Sequence, residues 1–320
     1  MGYKPFTLAT VATTNAAMAI MKPLVKWAAQ VKTVPALAPT VERALAIATE
    51  GVPGPVFVEV PVDILYPEAL VRAMFEKEIG GGKGKGIGAK ALELYVKTHL
   101  YRQFHGPVLP ELNLPVKLPH LRGDGGIERA AEALRTAKQP VIVVGSQALV
   151  GVKDPARIAR AIGTLNAPVY LAGVARGLLG RTHELQLRHN RGAALREADC
   201  VIVCGFPFDF RLGYGRGINK NATLIAANLS SHELRKNRRP DIALEMHAGE
   251  FLVALGERVQ WSGEPAWLGT LHEREAGRDA EIAKKAAPQG ELIDPLHLFS
   301  RLEQAMADDA VLVVDGGDFV

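Results

Sequence analysis

Between residues 127 and 255 the chain alternates two patterns: short unbroken apolar runs, and longer stretches with apolar residues three and four positions apart. The runs are Pro140 to Val144, Ala167 to Leu171, Cys200 to Cys204 and Thr223 to Ala227. They are too short for helices and rich in β-branched residues, so they predict buried strands. The stretches 127–137, 155–163 and 189–197 predict helices. Unbroken apolar strands alternating with helices predict an α/β fold with a doubly wound parallel sheet covered on both faces. Ligands of such sheets lie beyond the carboxyl ends of the strands. The loops Gly145 to Gln147, Gly173 to Gly177 and Gly205 to Gly217 are therefore the first to inspect. Gly145, Gly173, Gly205, Asp209 and Arg211 are the candidate cofactor-binding residues in them. A structural alternative stands beside each: a glycine can simply end a strand, and Asp209 with Arg211 can form an ion pair.

The flanks are less regular. Residues 1–20 carry no pattern. Segments 24–32 and 39–50 have helical spacing, with Val41, Leu45 and Ala48 on one face, Pro39 in the first turn and Gly51 at the end. A proline-punctuated apolar run, Val56 to Val60, predicts one strand. Residues 67–121 read as a linker with a helix over 89–104. Within it Gly80 to Gly88 invites a phosphate-loop reading, but neither Lys83 nor Lys85 is followed by Ser or Thr, so it reads as linker. Residues 256–292 read as a polar linker and 295–306 as a helix. Ala310 to Val320 reads as a buried strand entering a loop at Gly316, Gly317 and Asp318, the last three candidate cofactor-binding residues. An apolar strand without neighbours leaves an unpaired edge, so the chain is expected to be part of a longer protein.

Charge and special residues narrow the chemistry. A net charge of +4 with basic residues spread along the chain gives no nucleic-acid footprint. The densest group, Arg235 to Arg239, reads as a solvated helix end. Cys200 and Cys204 fall in one apolar strand and read as small buried hydrophobes rather than a disulfide. His183 and His189 lack a third ligand at recognisable spacing, so no metal site is assigned. No apolar run reaches the length of a membrane span, and the first twenty residues carry no secretory signal. A cytoplasmic location is expected, and a membrane anchor in an upstream segment is compatible with it.

Several segments together resemble one family. Gly51-Val-Pro-Gly-Pro-Val-Phe-Val-Glu-Val-Pro-Val-Asp63 resembles the closing strand of the pyrimidine-binding domain of thiamine-diphosphate-dependent enzymes. Residues 122–255 resemble their central domain, and Val313-Val-Asp-Gly-Gly-Asp318 the first strand and loop of their pyrophosphate-binding domain. Gly205-Phe-Pro-Phe-Asp-Phe-Arg211 sits where acetolactate synthases carry Gly-x-Arg-Phe-Asp-Asp-Arg. Ser146 to Leu149, Ala175 to Arg181, Asp209 to Gly215 and Asp315 to Phe319 are similar to the acetolactate-synthase-like branch, which includes 2-hydroxyacyl-CoA lyases.

The resemblance implies a division into a pyrimidine-domain remnant (1–66), a linker (67–121), a Rossmann-like central domain (122–255), a second linker (256–292) and the start of the pyrophosphate domain (293–320). It implies carbon–carbon lyase or transferase chemistry with thiamine diphosphate and magnesium in the complete enzyme, where the cofactor does the hard step and the protein positions it. The substrate would be a small 2-oxo acid or a 2-hydroxyacyl-CoA, and the complete enzyme a homo-oligomer. The family's catalytic glutamate lies before the retained part of the pyrimidine domain, and Glu59 is not that residue. Its magnesium site lies beyond Val320. No catalytic or metal residue is assigned, and the chain alone is expected to be catalytically incomplete. FAD, which acetolactate synthases hold in the central domain, is a further candidate, although Pro207 replaces the first arginine of the motif. Two other readings compete: a non-enzymatic nucleotide-binding or scaffolding protein, and an NAD-dependent enzyme. The second needs Gly-x-Gly-x-x-Gly after the first strand, and Gly145-Ser-Gln-Ala-Leu-Val150 lacks it.

Overall fold

The computed structural model describes residues 17–78, 87–106, 124–263, 265–287, 293–307 and 309–313. The chain divides into two units, Met1–Leu118 and Pro119–Val320.

In the first unit, strand β1 (Trp27–Gln30) lies parallel to β2 (Val56–Glu59), pairing Trp27 with Val56 and Gln30 with Glu59. Helix α1 (Leu37–Thr49) connects them and ends before Gly51, whose φ of 56° is a left-handed conformation. The helical spacing over 24–32 was thus misleading. Four residues are too few to distinguish helix from strand, and the hydrogen bonds of β1 come from a partner nearly thirty positions away. The expected linker at 67–121 contains two helices, α2 (Glu68–Glu78) and α3 (Ile87–His105). They meet through buried Val71, Val96 and Leu100. Most of the glycine run between them lies outside the described residues.

The second unit carries the regular alternation. Its elements are α4 (Asp124–Thr136), β3 (Pro140–Val144), α5 (Pro155–Leu165), β4 (Val169–Leu171), β5 (Gln186–Leu187), α6 (Arg191–Glu197) and β6 (Cys200–Cys204). Next come β7 (Thr223–Asn228), α7 (Ser231–Arg235), β8 (Ile242–Glu245) and α8 (Ala248–Gly256). The strands form one sheet of order β5-β4-β3-β6-β7-β8, and every pair is parallel. β3 and β6 are buried along their whole length, as strands covered on both faces must be. Carboxylates fix the strand entries: Asp199 accepts from the backbone N–H groups of Lys138 and Gln139, and Asp241 from that of Leu224. After β3 the chain builds first to one side and then to the other, so the order reverses between β3 and β6. That reversal is the topological switch point of a doubly wound sheet.

The segment 256–292 departs most from expectation. It holds a 21-residue helix, α9 (Pro265–Lys285), which packs on the central unit. Trp261, Trp267 and Leu271 are buried in the same core as the sheet. The indole N–H groups donate to Ala137 O and Pro140 O, each at 2.9 Å. A mostly polar composition hid the apolar anchor, because the single tryptophan of the helix, Trp267, buries as much area as several smaller residues. Helix α10 (Pro295–Ala305) follows, capped by Asp294, which accepts from Leu296 N. The strand expected from 310 onward is absent over the described part: Val311 and Val313 are 87% and 90% exposed and no strand of the unit pairs with them. The remaining residues of that segment lie outside the described ones.

Candidate functional site

The carboxyl ends of β3, β4 and β6 bring three of the candidate glycines together. Gly145 ends β3 and Gly205 ends β6, on the two sides of the switch point. Each is held by its neighbour's chain. Gly145 N donates to Cys204 O, Gln147 N to Gly205 O, and Ser146 Oγ accepts from Val174 N. A Cβ on Gly145 would lie 2.4 Å from Gly205 O. One on Gly205, which also has φ 62°, would lie 2.7 Å from Ala148 N. One on Gly173 would lie 2.2 Å from Ser146 Oγ. The glycines therefore let three turns of this chain interlock. A side chain at any of the three would meet a neighbouring turn.

Asp209 and Arg211 form an ion pair with each other. Arg211 Nη2 donates to Asp209 Oδ2 at 2.6 Å and Nε donates to both oxygens at 3.1–3.2 Å. Asp209 also caps the 3-10 turn Phe210–Gly215, accepting from Arg211 N. The Arg211 hydrogen bonds hold the Asp209 carboxyl below its ordinary range. The remaining candidates, Gly316, Gly317 and Asp318, lie outside the described residues. Among the described residues no group of three His, Cys, Asp or Glu side chains could hold a metal ion. His183 accepts from Leu185 N, and His189 lies 3.1 Å from Asp279.

The sequence reading missed two groups here. Arg191, the first residue of α6, is partly buried, lies over the Phe206 ring at 5.6 Å and donates to Arg211 O at 2.6 Å. Arg211 lies over the same ring at 5.5 Å. Burial pulls the Arg191 guanidinium below its usual value, Tyr170 opposes that and nearby Arg176 adds to it. No pattern in the sequence marks Arg191, which is one of many scattered arginines. His247 is the second. Its Nδ1 accepts from Gly249 N and Glu250 N while Nε2 lies 2.8 Å from Val150 O. That arrangement requires a neutral ring with the proton on Nε2. A His three residues before Glu250, at the start of an apolar run, is the available signal, by analogy with a capping box.

The fit of a flavin follows from these contacts. A dinucleotide's pyrophosphate needs backbone approach at the switch-point glycines and a cation to meet it. Pro207 offers no guanidinium, and Arg211 is engaged by Asp209. Neither Pro207 nor Arg211 therefore offers a free cation to a flavin pyrophosphate.

Comparison with known proteins agrees with this architecture. Residues 127–255 match the thiamine pyrophosphate enzyme, central domain. The chain is 38% identical over 315 residues to 2-hydroxyacyl-CoA lyase 2 of Caenorhabditis elegans, covering 95% of this chain and 48% of the relative. It is 36% identical over 314 residues to the Homo sapiens protein of the same name, covering 95% and 49%. It is also 31% identical over 207 residues to an acetolactate synthase large subunit of Mycobacterium tuberculosis, covering 63% and 36%. The fold is similar to the thiamine diphosphate-dependent 4-hydroxybenzoylformate decarboxylase of Rhodococcus jostii, with TM-score 0.58 and 19% identity over 96% of this chain and 52% of that one. The chain spans about half the length of the lyases it matches. With the switch-point sheet, the matched central domain and collinear similarity outside it, the chain belongs to the thiamine pyrophosphate enzyme family.

Proposed function

We propose that the complete protein is a thiamine-diphosphate- and magnesium-dependent lyase or transferase acting at the carbon–carbon bond next to the carbonyl of a 2-hydroxyacyl-CoA or a 2-oxo acid. The carrying observation is the similarity to 2-hydroxyacyl-CoA lyases along 95% of this chain, well beyond the central domain alone. That breadth speaks against a nucleotide-binding scaffold that reuses only the central sheet. Bound thiamine diphosphate supplies an electron sink for the carbanion left when the bond breaks. The central sheet contributes a rigid body. We further propose that the protein works without flavin, since neither Pro207 nor Arg211 offers a free cation to its pyrophosphate.

The test is direct. Complete protein, stripped of cofactors, is given a 2-hydroxyacyl-CoA or pyruvate, and aldehyde or acetolactate is measured with thiamine diphosphate, magnesium or FAD omitted in turn. Turnover should require the first two and ignore the third. No thiamine-diphosphate-dependent turnover on either substrate class would sink the proposal. Stoichiometric flavin in the purified protein would sink its flavin-free part alone.

A further inference from the structure

We propose that α9 is a conformational strap: it holds the segment 184–191 and, through Arg191, sets the position of the 205–215 loop at the carboxyl edge of the sheet. One stripe of α9 does this. Trp267 and Leu271 anchor the helix in the core. Further along, Glu275 accepts from the backbone N–H groups of Arg188 at 3.0 Å and His189 at 2.5 Å. His189 Nε2 lies 3.1 Å from Asp279, Asn190 donates to Arg274 O, and Arg274 donates to Glu197 of α6 at 2.8 Å. His272 Nε2 lies 2.7 Å from Glu184 O.

The segment needs these contacts. Between β5 and α6 it has no strand partner for its amide groups, and Asn190, which opens α6, has φ 56° with no side-chain cap of its own. A carboxylate taking two successive backbone N–H groups is a strong, directional hold. Directly after the held residues comes Arg191, over Phe206 and bonded to Arg211 O. A displacement of α9 therefore reaches the 205–215 loop through two polar joints rather than through the sheet. Those joints lie on exposed loops, which open more readily than the buried strands. In the wild type, bending the part of α9 beyond Leu271 would shift the carboxyl edge while the Trp267 anchor on Pro140 O stays in place. Glu275 is thus a positioning residue.

Amide hydrogen exchange on the complete protein tests this, with two variants. Glu275→Gln keeps the shape of the side chain but leaves one acceptor oxygen for two donors. Exchange should rise about tenfold or more at Arg188 and His189 and also across 205–215, while 223–245 is unchanged. Arg191→Met cuts the chain downstream. It should raise exchange in 205–215 and leave Arg188 and His189 protected. A Glu275→Gln effect confined to 188–189, a rise shared equally by 223–245, or no change in 205–215 for Arg191→Met would each overturn the strap.

Discussion

A thiol inside a parallel strand has no water to stabilise its anion, and both cysteines of this protein sit in β6. Burial, with some help from the Asp199 carboxylate, pushes Cys200 up to about 12, and burial alone pushes Cys204 further in the same direction. Neither thiol should react with a disulfide reagent at pH 8 until the protein is unfolded, when two equivalents should react at once. The sign of the pH effect follows. The raised folded-state value favours the native state fully below the ordinary thiol range, and the unfolded chain gains by ionising above it. Stability should therefore decline as pH climbs from about 9 towards about 12. A denaturation midpoint flat across that interval, once Tyr and Lys titration is controlled with a Cys200→Ala, Cys204→Ala double variant, would contradict it. His247 makes the other residue-scale prediction. Replacing it with Ala removes an acceptor for two amide groups and should lower stability by about 1–2 kcal/mol, read from urea midpoints. The burial of the cysteines was legible from their β-branched neighbours. The role of His247 was not, because Val150 is 97 positions away.

Among the elements, α9 changes the account of the chain most. Trp267 buries its ring in the sheet's core and its N–H on Pro140 O. Trp267→Ala should cost about 3–5 kcal/mol, measured by chemical denaturation. A loss below 1 kcal/mol would show that the helix is not part of the cooperative unit. Limited proteolysis should spare 265–285, where a polar linker would be cut early. Four strands of the sheet, β3, β4, β6 and β7, were readable within two residues because unbroken β-branched runs of that length have few other solutions, whereas the short edge strands β5 and β8 were not. β1 and α9 were not readable: one is a four-residue segment fixed by a distant partner, the other a charged helix anchored by two side chains.

For the molecule as a whole, the unit that folds should be larger than the family's central domain. A fragment of residues 124–287 should unfold cooperatively, whereas one ending at 256 loses Trp261, Trp267 and Leu271 and should be destabilised by about 3 kcal/mol or more. Equal midpoints for the two fragments would return α9 to the status of a connector. The first unit follows different rules: a two-stranded parallel sheet with buried Val31, Ala36 and Ile64 is a small core, and such sheets gain independent stability only with more strands or helices packed on them.

The sequence by itself determined the alternation of strands and helices over 127–255, the burial of the thiols and, through motif order, the family. These depend on neighbours in the chain and on residue types whose conformational choices are few. Tertiary structure alone decided what the carboxyl edge is. Gly145, Gly173 and Gly205 read in the sequence as ligand positions or strand ends, and only the approach of Ser146, Ala148 and Phe206 shows what a side chain at each would meet. Asp209 and Arg211 could have faced a ligand, and they close on each other. The physical reason is common to these cases. Backbone preference is local, whereas the partner of a polar group or of a missing Cβ is supplied by whichever strand the sheet order brings alongside.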